Sequence, residues 1–232
     1  MSIMKKVVLS SVSVLALSTV ALPSVSAEDA AWSANTALVT DYRFRGVSLS
    51  NKDFAVQGGF DVNWASGFYV GTWASSIETF GGSEMEMDIY AGYGFESNGL
   101  SYDVGILAYT YPGSDDTHYL EAYGSVGGSF NDVGWTVGAA YAYDQDNLGN
   151  QTNLYVYTDL EYSLTDVISL SGHLGVEEGA FGKFNGDAKL DWSLGFSYAL
   201  SDTVGLGVTY IDTNMNNTIG KETAVISLSA SF

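Results

Sequence analysis

Residues 54–64 read Phe-Ala-Val-Gln-Gly-Gly-Phe-Asp-Val-Asn-Trp. Phe54, Val56, Phe60, Val62 and Trp64 share one parity with Gly58, while Ala55, Gln57, Gly59, Asp61 and Asn63 hold the other. Successive side chains of a strand point to opposite faces, so this stretch is a strand with one apolar and one polar side. The same period returns downstream. Met85, Met87, Ile89 and Ala91 alternate with Glu84, Glu86, Asp88 and Tyr90. Leu154, Val156 and Leu160 interleave with Tyr155, Tyr157, Asp159 and Glu161, and Leu190, Trp192, Leu194 and Phe196 with Lys189, Asp191, Ser193 and Gly195.

Followed along the chain, the alternation predicts twelve strands, at 32–44, 54–65, 68–76, 84–96, 100–111, 118–130, 135–144, 153–164, 167–178, 188–200, 204–212 and 223–232. Tight turns at 65–67, 97–99, 131–134, 165–166 and 201–203 are rich in Gly, Asn, Asp, Ser and Thr. Between them fall longer polar loops, at 45–53, 77–83, 112–117, 145–152, 179–187 and 213–222. A soluble sandwich would alternate in the same way. An even strand count, short turns alternating strictly with long loops, and two aromatic girdles point instead to a barrel in a membrane. One girdle would hold Trp64, Phe68, Phe95, Phe130, Trp135, Tyr198 and Phe232 near the tight turns; the other would hold Tyr42, Phe44, Tyr143 and Tyr210. The expected fold class is therefore all-β, a single antiparallel 12-stranded transmembrane β-barrel of the outer-membrane type.

Composition narrows the function classes. The 232 residues include 27 Asp and Glu but only 8 Lys and Arg, for a formal charge of −19, which excludes a general nucleic-acid binder. Without cysteine there is no disulfide scaffold, thiolate metal site or cysteine nucleophile. Lys5 and Lys6, an apolar stretch from Val7 to Leu22 and Val25-Ser26-Ala27 read as a secretory signal peptide, 1–27, cleaved after Ala27. Residues 28–232 would then form the barrel in the cell outer membrane, in contact with its lipid. The last strand, ending in aromatic Phe232, resembles the C-terminal signature by which outer-membrane proteins reach the barrel-assembly machinery.

Several segments resemble one family. They are 35–50 (Asn-Thr-Ala-Leu-Val-Thr-Asp-Tyr-Arg-Phe-Arg-Gly-Val-Ser-Leu-Ser), 55–60, 67–75, 87–93, 102–105 and 109–113. Together they are similar to the TorF family of porin-like proteins, well over residues 35–125 and mainly by pattern beyond. The resemblance implies an outer-membrane barrel acting as a pore, and brings no catalytic or binding residue with it.

If the apolar parity faces lipid, the other parity faces the lumen. It places Asp41, Arg43 and Arg45 there on the first strand, with Asp61, Glu86, Asp88, Asp103, Glu121, Asp159, Glu161, Glu177 and Asp191 from later strands. Lys189 and His173 join them. Acids so outnumber bases that the expected channel is a passive one for small solutes, preferring cations. Arg43 and Arg45 would either form a charge-separated constriction or balance neighbouring acids. Small lumen positions (Gly92, Gly94, Gly105, Gly138, Ala140, Ala142, Gly205 and Gly207) suggest a narrow aqueous passage. Tyr69, Trp73, Tyr90, Tyr109, Tyr111, Tyr119, Tyr123, Tyr155 and Tyr157 share the lumen parity and would either stack solutes or fill space.

Two other classes compete: a non-conducting structural or adhesive barrel blocked by tyrosines and loop 179–187, and an outer-membrane lipid hydrolase. For the latter, His173 lies opposite Tyr157 or Asp159 across the 165–166 turn, half of a triad without a G-x-S-x-G elbow. His118 has lipid-side parity near the rim. The loop acids in 144–149 and 114–117 depart from an EF-hand spacing, so neither a metal nor another cofactor is implied.

Overall fold

The computed structural model describes residues 30–114, 117–182 and 187–232. The proposed signal segment, 1–27, lies outside them. Twelve long strands close into one antiparallel barrel. They are β1 (Ala31–Val39), β4 (Ala55–Asn63), β5 (Phe68–Phe80), β6 (Ser83–Ser97), β7 (Leu100–Thr110), β8 (Tyr119–Phe130), β9 (Val133–Gln145), β10 (Gln151–Ser163), β11 (Ile168–Gly179), β12 (Lys189–Ala199), β13 (Val204–Thr213) and β14 (Thr223–Ser231). Each pairs with its sequence neighbour, and β1 closes the ring against β14, with Leu38 opposite Leu228. Phe232 exchanges backbone hydrogen bonds with Ala34 across that seam, at 2.9 and 3.1 Å. Closure leaves no unpaired strand edge for the membrane to solvate, which is what lets a sheet cross hydrocarbon.

The parity prediction holds throughout the wall. Phe60, Ile89, Ile106, Leu160, Leu194 and Ile226 are all exposed on the outer face, where lipid replaces water. Glu86, Asp88, Glu121, Glu177, Lys189 and Asp191 point inward and are buried. Turn chemistry fits the strand ends. Asn98-Gly99 holds φ of +53° and +77°, the left-handed pair a two-residue hairpin turn requires. The β4–β5, β6–β7, β8–β9, β10–β11 and β12–β13 turns and both ends of the barrel chain lie at one end, and the remaining connections at the other.

Three expectations need correction. The first strand does not run to residue 44: β1 ends at Val39, and its partner β4 begins directly opposite, at Ala55. Residues 40–54 between them are not wall but a segment folded into the barrel, with a two-rung hairpin of β2 (Arg43–Phe44) and β3 (Val47–Ser48). Tyr42 and Phe44 are therefore buried inside and belong to no lipid-facing girdle. The outward parity of Trp32 and Leu38 on β1 runs on through Tyr42 and Phe44, so alternation alone could not show where the wall ends; the left-handed Arg45 (φ +46°) and Gly46 (φ +80°) turn the chain back. Third, 77–83 is not a loop. β5 and β6 continue through it to a turn at Gly81-Gly82, with a register irregularity between Ser76 and Phe80.

Candidate functional site: the barrel interior

The infolded segment is built by its own polar residues. Asp41 accepts from Arg43 Nε at 2.6 Å and from Ser48 Oγ at 2.5 Å, and the Tyr42 and Leu49 backbones close the loop with Leu49 N donating to Tyr42 O at 2.8 Å. Arg43 Nη1 then donates to the carbonyls of Gly46, Ile219 and Lys221, which fastens the segment to the 214–222 loop. Glu78 N donates to Leu49 O, a second attachment on the β5 side. Gly46 sits so close to the wall that a Cβ would meet Thr213 Cγ2 at 2.4 Å. A side chain at that position would push the segment off its seat.

Arg45 reaches furthest across. Its guanidinium donates to Glu121 on β8 and Glu177 on β11, each at 2.6 Å, and lies over the Tyr155 ring at 4.4 Å. Glu177 also pairs with Lys189. All four charged side chains are 4% exposed or less. Buried ions of this kind need complete partners, because an unpaired one costs far more than the pair gains. Asp41, Arg43 and Arg45 are thus inside the barrel, as their parity predicted, yet on an inserted segment rather than on the wall.

Tyrosines fill the space that the lumen glycines free. Tyr69 lies over Gly92 and Tyr90 over Gly71, their directly opposed partners in the β5–β6 ladder, while Tyr123 covers Gly105 and Tyr157 covers Gly138. A Cβ at these glycines would come within about 2.2–2.6 Å of the rings. Of the small positions expected to line a passage, Gly92, Gly105 and Gly138 are therefore seats for rings. On β12, β13, β14 and β1 the inward positions Gly195, Ser197, Gly207, Ser229 and Ala37 make a small-residue wall.

Two chemistries divide the inward acids. On β4–β7, Asp61, Asp103 and Glu86 meet tyrosine hydroxyls and, among the described residues, no cation: Tyr90 donates to Asp61 at 2.5 Å, Tyr69 to Asp103 at 2.9 Å, and Tyr42 and Tyr111 to Glu86 at 2.6 and 2.9 Å. On β8–β12, acids meet Arg45, Lys189 and His173. His173 Nδ1 lies 2.6 Å from Asp159, and its Nε2 lies 3.0 Å from Asp191 and 2.7 Å from Tyr155 Oη. Each ring nitrogen faces a carboxylate, which leaves no free lone pair to take a proton from a nucleophile. Glu161 is inward and half-buried near the short turns. Tyr109 donates to Glu121 at 3.0 Å and stacks on Tyr119, which in turn touches Phe181. His118 is exposed at the rim, and of the loop acids in 114–117, residues 115 and 116 lie outside the described residues. What the sequence reading missed is the role of 40–54. Its one local sign was a pair of arginines bracketing Phe44 just before Gly46, in a chain with few bases.

Residues 25–232 match the family described as bacterial protein of unknown function (Gcw_chp). The chain belongs to the Gcw_chp family. The match does not carry the TorF name expected from the sequence. Among curated proteins none matches this chain. Solved structures of the same fold include the NanC porin (TM-score 0.59, 10% identity, 87% of this chain and 99% of that one) and the KdgM porin in complex with disordered oligogalacturonate (TM-score 0.60, 8% identity, 86% and 98%). Outer membrane phospholipase A from Escherichia coli is also similar (TM-score 0.50, 12% identity, 86% and 91%). This Gcw_chp chain thus has the fold of outer-membrane porins.

Proposed function

We propose that the protein is an outer-membrane channel for the passive diffusion of small solutes, preferring cations and narrowed on its long-loop side by residues 40–54. One observation carries the reading: Asp61, Glu86 and Asp103 face inward on β4–β7 and, among the described residues, have no basic partner. Uncompensated carboxylates with low-dielectric walls concentrate cations and repel anions. One similar porin is described with oligogalacturonate, an acidic sugar; the acidic lumen here disfavours such a solute. The half-buried Tyr123 and Tyr157 suit organic cations and neutral polar molecules. Pore-lining roles fall to Asp61, Asp103, Asp159, Glu161 and the small-residue wall, while Asp41, Arg43 and Arg45 build the constriction. Export by residues 1–27 and assembly through the strand ending at Phe232 belong to the same reading.

The test is recording in planar bilayers under a KCl gradient. Steady conductance with a cation-selective reversal potential is expected; anion preference or no conductance overturns the proposal. The second reading, a non-conducting barrel, is favoured by the complete burial of Arg45 and its partners, and the same recording decides it. A hydrolase would need His173 as a base, and its two carboxylate contacts oppose that.

A further inference from the structure

His173 sits between the buried ion pairs and the half-buried acids of the lumen. Its strand, β11, runs between β10 and β12, and the ring reaches a carboxylate on each. Nδ1 is 2.6 Å from Asp159, its directly opposed partner on β10, which keeps 30% of its side chain exposed. Nε2 is 3.0 Å from Asp191 on β12, which keeps only 3%. Tyr155 Oη lies 2.7 Å from the same nitrogen and 3.1 Å from Asp191.

These contacts bear on the number of protons the ring holds. A neutral imidazole offers one donor and one acceptor, and an ionised carboxylate only accepts. With a neutral ring, the single Tyr155 hydroxyl proton would have to serve both the Nε2 lone pair and Asp191. Asp191 has no Lys or Arg partner among the described residues, and its Oδ2 has no donor. A buried carboxylate needs a compensating charge, and the other cations nearby are committed elsewhere. Arg45 belongs to Glu121 and Glu177, Lys189 to Glu177, and Tyr157, stacked on the ring, brings no positive charge. An imidazolium supplies what is missing, with Nδ1 donating to Asp159 and Nε2 to Asp191.

The partners of Nε2 also carry the infolded segment. A Cβ at Gly46 would come within 2.7 Å of Asp191 Cβ, so the turn rests directly on Asp191, and the Arg45 guanidinium lies over the Tyr155 ring at 4.4 Å. We propose that His173 is the positioning residue of the constriction. Its imidazolium holds Asp191 and Tyr155, on which Gly46 and Arg45 are seated. Loss of the second ring proton as pH rises leaves Asp191 charged and unpaired, and water reaches it as the segment lifts. The channel is thus narrow with the ring charged and wider with it neutral. The role rests on the channel reading only where current is the readout.

The test follows the purified barrel from about pH 6 to about pH 9.5, below the ordinary range of Tyr and Lys. In planar bilayers, wild-type conductance in KCl is expected to rise at least about twofold across that range, and that of Asp191→Asn to stay level, since no buried charge is left to hydrate. A level wild-type profile, or an equal rise in Asp191→Asn, overturns the proposal. Nitrogen-15 NMR of His118→Gln, which leaves His173 as its one histidine, follows the ring itself. Both ring nitrogens are expected to carry protons wherever conductance is low, and one to lose its proton over the range in which conductance rises. A ring already neutral at low conductance sinks the idea. Should Asp191→Asn fail to fold, or the barrel pass no current, a spin label at Asp53→Cys, the sole cysteine of that variant, reads the segment directly. Mobility that rises with pH supports the role of His173, and constant mobility overturns it. Absence of current at every pH counts against the channel reading alone, so the two failures are distinguishable.

Discussion

The long-loop half of the lumen and its short-turn half use the same residue types to opposite ends. Toward the long loops, Arg45, Glu121, Glu177 and Lys189 are 4% exposed or less and locked by direct ion pairs. Toward the short turns, Asp159 keeps 30% of its side chain exposed, and Asp61, Asp103 and Tyr123 are only half-buried. The difference lies in what covers them. Residues 40–54 put a second layer of protein inside the first half, so its charges must find partners; water serves the second half. Charge inside this barrel is therefore a structural clamp where it is dry, and where it is less buried it is the lining that the proposed channel would use.

The largest effect is expected from removing that second layer. Val39 and Ala55 face each other in the ladder, so replacing 41–53 by a short Gly-Ser turn leaves β1 and β4 joined as an ordinary hairpin. Single-channel conductance should rise severalfold; an unchanged value would show that the segment is not the narrow point. Next comes Arg45→Met, which leaves Glu121 with no cation, only the Tyr109 hydroxyl, and Glu177 with Lys189 and Asn153. A loss of about 3–5 kcal/mol in denaturant unfolding is expected, against under about 1 kcal/mol for Asp159→Asn in the wet half. Equal losses would erase the contrast between the halves.

A smaller effect separates the ring seats from ordinary turns. Gly138→Ala would push Tyr157 off the wall and should cost about 1–3 kcal/mol through overpacking. Gly99→Ala has nothing within 4 Å and meets only its positive φ, for a cost of about 1 kcal/mol. The smallest change is in selectivity. Asp61→Asn and Asp103→Asn should each move the reversal potential toward zero, more at low salt than at high, because screening already weakens exposed charges. No shift in either variant would remove the β4–β7 acids from the conduction path.

Some elements were legible because their cause is local. Alternation in 54–64, 84–96 and 188–200 follows from a lipid outside and a polar inside, and turns such as Asn98-Gly99 need a left-handed backbone that few residues supply. Inward placement of Glu86, Glu121 and Glu177 followed from the same parity. Their partners did not: Arg45 meets Glu121 and Glu177 across 76 and 132 residues of chain, a distance over which no pattern in the sequence reports. The tyrosine–glycine seats had a faint sign, since both types recur at lumen parity, but only register says which ring covers which glycine.

By itself, then, the sequence determined a twelve-stranded wall, its greasy and polar faces, and the tight turns at one end of the barrel, because hydrocarbon imposes the faces on each strand independently and tight turns need particular residues. Only the tertiary structure decided that 40–54 turns inward and seals Asp88 and Arg45 from water. A chain segment with strand-like alternation can satisfy its backbone either in the wall or on a neighbouring loop, and the choice rests on ion pairs and ring contacts that exist only once the barrel has closed.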